Sequence, residues 1–116
     1  MATVLTVGAQ EKSTYVITVN FKDEDGQDVI PTSATWTLTD EDGTVINSRE
    51  DVVITPLAAS VDVVLTGNDL AVDTGFAGTA QERTITVEAV YDSSLGSGLT
   101  LKAAAKFNVE NLVAVS

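Results

Sequence analysis

Five segments of this chain alternate apolar and polar residues with a period of two, and few folds accept that pattern. In the first, Tyr15, Ile17, Val19 and Phe21 are apolar while Thr14, Thr18 and Asn20 fall between them. In the second, Trp36 and Leu38 follow Ala34 and alternate with Thr35, Thr37 and Thr39. Val61, Val63 and Leu65 form a third set, and Ile85, Val87, Ala89 and Tyr91 a fourth. The longest runs through Leu99, Leu101, Ala103, Ala105, Phe107 and Val109, set against Thr100, Lys102, Ala104, Lys106 and Asn108. Successive side chains of a strand point to opposite faces, so this periodicity predicts strands with one covered face. Threonine on the outward positions suits a pleated, half-wet surface. No segment sustains a helical period. The alanines near 103–105 favour a helix, but the turn-forming residues 92–98 ahead of them predict the second arm of a hairpin instead.

Two briefer apolar runs, 3–7 and 45–46 with 52–54, predict further short strands whose covered face the alternation is too short to fix. Asp40-Glu41-Asp42-Gly43 predicts a tight turn, with Gly43 at the left-handed position, and Asp23-Glu24-Asp25-Gly26 repeats the device one strand earlier. Residues 67–80, with Gly67, Asn68, Asp69 and Gly75, read as a long connection between sheets. A length of 116 residues fits one domain. The expectation is therefore an all-β, antiparallel sandwich of about seven strands with Greek-key connections over residues 1–116.

With Trp36 on the third strand, the pattern resembles an immunoglobulin-like domain. In that resemblance residues 14–21 correspond to strand B, 34–39 to strand C with its core tryptophan, 61–66 to strand E, and 83–91 with 99–109 to the F–G hairpin. Two departures separate the chain from antibody-type domains. The B and F cysteines are replaced by aliphatic residues, Ile17 or Val19 and Val87, and no tyrosine stands two residues before Val87.

Composition removes most catalytic chemistry. There is no cysteine and no histidine, hence no disulfide, no thiolate nucleophile, no Ser-His-Asp triad and no Cys- or His-ligated metal. Seventeen acidic residues against six basic ones leave a net charge of −11, and Lys12, Lys22, Arg49, Arg83, Lys102 and Lys106 are scattered, which disfavours nucleic acid as a partner. The acidic groups at 23–28 and 40–42 invite a calcium reading, but the first lacks the ligand spacing of an EF-hand, the second lacks a fourth nearby ligand, and solvated turns account for both. Carboxylates gathered in turns do not face each other across a cleft as glycoside hydrolysis requires. Trp36, Tyr15 and Phe107 share the inward parity, so they are expected in the core rather than on a sugar-stacking platform. No catalytic residue, metal ligand or cofactor is expected.

No apolar run approaches the ~18 residues of a membrane span, and the N-terminal residues lack the basic and apolar regions of a secretory signal. A soluble chain made in the cytoplasm is expected. In type, a small cysteine-free immunoglobulin-like chain of this kind resembles the accessory virion proteins of tailed bacteriophages. That resemblance implies a non-enzymatic capsid decoration protein, made in the host cytoplasm, located in the virion and partnered by capsid or tail subunits. It leaves the oligomeric state open. The apolar ends, Val4, Leu5 and Val7 with Leu112, Val113 and Val115, are the candidate docking residues. The alternatives are a phage neck or tail component, or an adhesion or cell-surface module excised from a larger bacterial protein.

Overall fold

The computed structural model describes residues 3–4, 8–72 and 80–110. Eight strands occur in it: β1 (Thr3–Val4), β2 (Ala9–Gln10), β3 (Thr14–Asn20), β4 (Ser33–Asp40), β5 (Val52–Val53), β6 (Ser60–Thr66), β7 (Ala80–Ser93) and β8 (Gly96–Glu110). A single turn of 3-10 helix, Gly67–Leu70, follows β6. The larger sheet has the order β1-β8-β7-β4-β5, with β2 also paired to β8, and the smaller consists of β3 and β6. The five alternating segments are the five long strands, and the all-β expectation holds.

The core lies between the two sheets because the parity read from the sequence is the parity of burial. Ile17, Val63 and Leu65 from the smaller sheet, with Phe21 just past β3, meet Trp36, Leu38, Ile85, Val87, Phe107 and Val109 from the larger. Tyr15 of β3 stacks on Phe107 of β8 across the interface, ring centroids 5.0 Å apart. The three aromatics considered as a platform are thus packing residues: Trp36 and Phe107 are buried, and Tyr15 packs against the core.

Purely antiparallel pairing is the part of the expectation that needs correction. β1 and β2 both run parallel to β8, with Thr3 opposite Ala105 and Ala9 opposite Val109. The first segment therefore lies along the outer edge of the last strand, in its direction, and the larger sheet is mixed. The register shifts by two residues between β1 and β2. An even shift preserves facing parity, so Ala9 enters the core at 2% exposure. Just before it, Gly8 passes so close to β8 that a Cβ there would stand 3.1 Å from the backbone oxygen of Asn108.

The β7–β8 hairpin is tighter than residues 92–98 suggest. Both strands run almost to the tip, with Ser93 opposite Gly96 and an irregularity between Tyr91 and Ser93. The extended hairpin contributes to principal extents of 52 × 23 × 21 Å and a radius of gyration of 15.4 Å, against about 13 Å for a compact chain of this length. Val45, expected in a strand, makes only an isolated bridge to Thr39, while Val52–Val53 forms the edge strand β5.

Candidate docking surface and polar clusters

The two acidic turns share one construction. The Asp23 carboxylate accepts from the N–H groups of Asp25 and Gln27, both at 2.9 Å, while the Gly26 N–H donates to the Asp23 carbonyl. Asp40 does the same with the N–H groups of Asp42 and Thr44, and Gly43 N–H closes the turn. Gly26 and Gly43 take the positive φ these turns demand, 76° and 88°. Asp23, Glu24 and Asp25 bring carboxylate oxygens within 4.8 Å of one another. Yet one oxygen of Asp23 already serves two backbone donors, and Glu24 accepts from Tyr91 Oη and Ser93 Oγ. The cluster is explained by turn chemistry and by a tie to the β7–β8 hairpin. The flanking Lys22 pairs with Asp28.

A second cluster was hidden in the connection 67–80. Asp69, on the 3-10 helix, is 1% exposed, and its carboxylate accepts from Arg49 Nε at 2.7 Å, Asn47 Nδ2 at 2.8 Å and the Thr66 N–H at 3.2 Å. Burial alone would raise its pKa. The hydrogen bonds from Arg49, Asn47 and Thr66, helped by the Arg49 charge, outweigh that and hold it below the usual carboxylate value. Asn47 and Ser48 both take positive φ, 53° and 58°, with Arg49 N–H returning to the Ile46 carbonyl, as in a type I′ turn. This turn delivers Arg49 to Asp69 and sets its guanidinium 6.0 Å from the centre of the Trp36 ring.

Arg83 was likewise missed as an interior residue. The inward parity of β7 continues through Arg83 and Gln81, and Arg83 is fully buried. Its guanidinium donates to the carbonyls of Glu82 and Ala71 and to Gln81 Oε1. Parity alone pointed inward here; residue type argued the other way.

Among the docking residues, Val4 lies in β1, its backbone opposite Lys106 of β8. Leu5, Val7, Leu112, Val113 and Val115 lie outside the described residues. A different surface emerges where the sheets fail to match in width. Among the described residues, the smaller sheet has two strands and ends at β3. There a groove of about 230 Å³ opens, with Ile17 and Val19 on one side and Ile85, Val87, Ala103 and Ala105 on the other. Ala103, inward by parity, is exposed, and Leu99, Leu101 and Ala105 are only half-buried. Among the described residues, β3 along residues 17–20 has no strand partner on the side away from β6, nor has β8 along residues 96–104 on the side away from β7.

In comparisons with known proteins, the chain matches no family model, no curated protein and no solved structure.

Proposed function

We propose that this chain is a non-enzymatic structural module that docks onto other subunits through its strand edges, and that it serves as a capsid decoration protein of a tailed-bacteriophage virion. The observation that carries the docking part is the groove between β3 and β8, where, among the described residues, a strand edge without a strand partner runs beside an apolar face. Such an edge is a template for an added strand, with backbone hydrogen bonds supplying affinity and alternate side-chain pockets supplying specificity. The strand arrangement supports an immunoglobulin-like Greek key, since β3 and β6 share one sheet as B and E do, while β4, β7 and β8 are neighbours in the other in the manner of C, F and G. Trp36 stands buried on β4, where that family keeps its core tryptophan. The assignment to a virion rests on the resemblance in type alone.

A net charge of −11 favours a partner surface with basic patches. The test is to follow an epitope-tagged chain through density-gradient purification of particles from its source. Co-migration at a fixed copy number per capsid, reduced by added salt, is the expected result. Recovery only in the soluble fraction refutes the virion assignment.

A further inference from the structure

The groove between β3 and β8 is lined from both sheets, and three features describe what fits this lane. Its apolar side chains, Ile17, Val19, Ile85, Val87, Ala103 and Ala105, come from both sheets, so an occupant must be apolar on its inward face. Among the described residues, the β3 edge along the groove, residues 17–20, has no strand partner, so the occupant must be extended in order to pair with it. All of the groove's described lining residues are uncharged in a chain of net charge −11, so an uncharged segment enters without stripping water from a charge.

We propose that the occupant is the segment of residues 111–116 from a second copy of this chain. Asn111, Leu112, Val113, Ala114, Val115 and Ser116 carry no charged side chain, and valines at 113 and 115 repeat with the period of two that an inward strand face requires. The segment follows directly on β8, which ends at Glu110 opposite Gln10 and Ala80. Within one copy the groove lies beside residues 103–105, about 17–23 Å back along β8 from Glu110 at ~3.3 Å per residue, too far for six residues that must first reverse direction. A neighbour's segment meets no such obstacle.

Tail into lane is a heterologous contact: each copy offers one tail and one groove, and the geometry closes into a ring or continues as a filament. This inference rests on the reading of the chain as an assembly module but is independent of which particle it belongs to. It also has its own electrostatic signature. Two copies of charge −11 repel, so association between copies strengthens as salt rises, whereas docking onto a basic partner weakens.

The experiment uses sedimentation velocity on three purified proteins at concentrations from micromolar to near-millimolar: the full chain, a variant lacking residues 111–116, and Ala103→Arg in the full chain. Ala103 is exposed, so the substitution blocks the groove without entering the core, and circular dichroism checks that each variant keeps its β spectrum. The full chain is expected to self-associate, more so at 150 mM than at 20 mM salt, while each variant alone stays monomeric. Mixed together, the tail-less variant supplies an intact groove and Ala103→Arg an intact tail, and their mixture is expected to form one-to-one dimers and nothing larger. A full chain that remains monomeric throughout, or a mixture that does, overturns the proposal. If the full chain is monomeric while the tail-less variant binds a synthetic peptide of residues 111–116, the tail fills its own groove and the second copy is excluded. If copies do not associate but tagged chain still enters particles, exchange between copies is wrong and docking onto other subunits stands.

Discussion

Tyr91 and Glu24, sixty-seven residues apart, are joined by a hydrogen bond in which the phenol donates to Oε1 at 3.0 Å. Ser93 Oγ donates to the same oxygen at 3.1 Å. The bond fastens the turn in the β3–β4 connection, which crosses from the smaller sheet to the larger, to the end of the β7–β8 hairpin.

Removing that phenol tests the tie. Tyr91→Phe is expected to lower the melting temperature by a few degrees and to speed amide exchange at Gln27 and Val29, while Glu24→Gln, which still accepts, does less. Equal exchange in Tyr91→Phe and wild type would mean the tip is held by its own turn alone. The hydrogen bond to Glu24, then burial and the neighbouring carboxylate charges, raise the Tyr91 pKa above the usual tyrosine value. Its contribution is therefore complete below about pH 10, the unfolded value, and is lost as pH rises through the higher folded value. A tyrosinate titration followed by ultraviolet absorbance reads this directly.

Asp69 gives the opposite pH dependence. Its pKa is depressed, so its contribution is present above about pH 4, the unfolded value, and disappears as pH falls through the folded value. Arg49→Ala leaves a buried carboxylate with Asn47 and the Thr66 N–H as its remaining donors, and is expected to cost about 2 to 3 kcal/mol at pH 7 by denaturant titration. At pH 3 the gap between variant and wild type should shrink. A gap that stays constant from pH 7 to pH 3 would place the effect in packing over Trp36 instead.

For Trp36, at 7% exposure between the sheets, truncation to alanine is expected to cost ~3 to 5 kcal/mol. Native fluorescence should be blue-shifted and move to longer wavelength on unfolding. Emission already at the position of free tryptophan would contradict burial.

The acidic turn at 23–26 is expected to ignore calcium. Millimolar calcium should leave the melting temperature within a degree, since stabilisation by a ligand requires preferential binding to the folded state. By contrast Asp23→Ala, which leaves the N–H groups of Asp25 and Gln27 without their acceptor, should cost about 1 kcal/mol. A rise of many degrees with calcium, lost in Asp25→Asn, would reverse this view of the cluster.

How far the sequence was legible follows from which forces are local. Alternation is imposed by the pleat, so β3, β4, β6, β7 and β8 and nearly all their inward residues could be read directly, as could the glycines at 26 and 43. Pairing direction depends on where the chain ends meet, and nothing in Thr3 or Val4 announces a parallel partner at Ala105. Asp69 sat in a segment rich in turn residues, where an aspartate is unremarkable; its burial depends on Arg49 arriving from a turn with two left-handed residues. The groove was legible only in part. Leu99, Leu101, Ala103 and Ala105 declared an apolar face, but that the second sheet stops short of it is a fact about the width of the fold.

The parallel seating of β1 and β2 on β8 also sets a schedule for the chain's birth. Partners in that pairing stand roughly a hundred residues apart, close to the largest separation this chain allows, and contacts of such range slow folding. On the ribosome, residues 3–10 emerge long before their partner strand is made. Until β8 clears the exit tunnel its hairpin with β7 cannot close, Phe107 and Val109 cannot cap the core, and Tyr15 of β3 lacks the ring it stacks on. The edge pairing of β1 and β2 is therefore a late step, taken only once β8 is available.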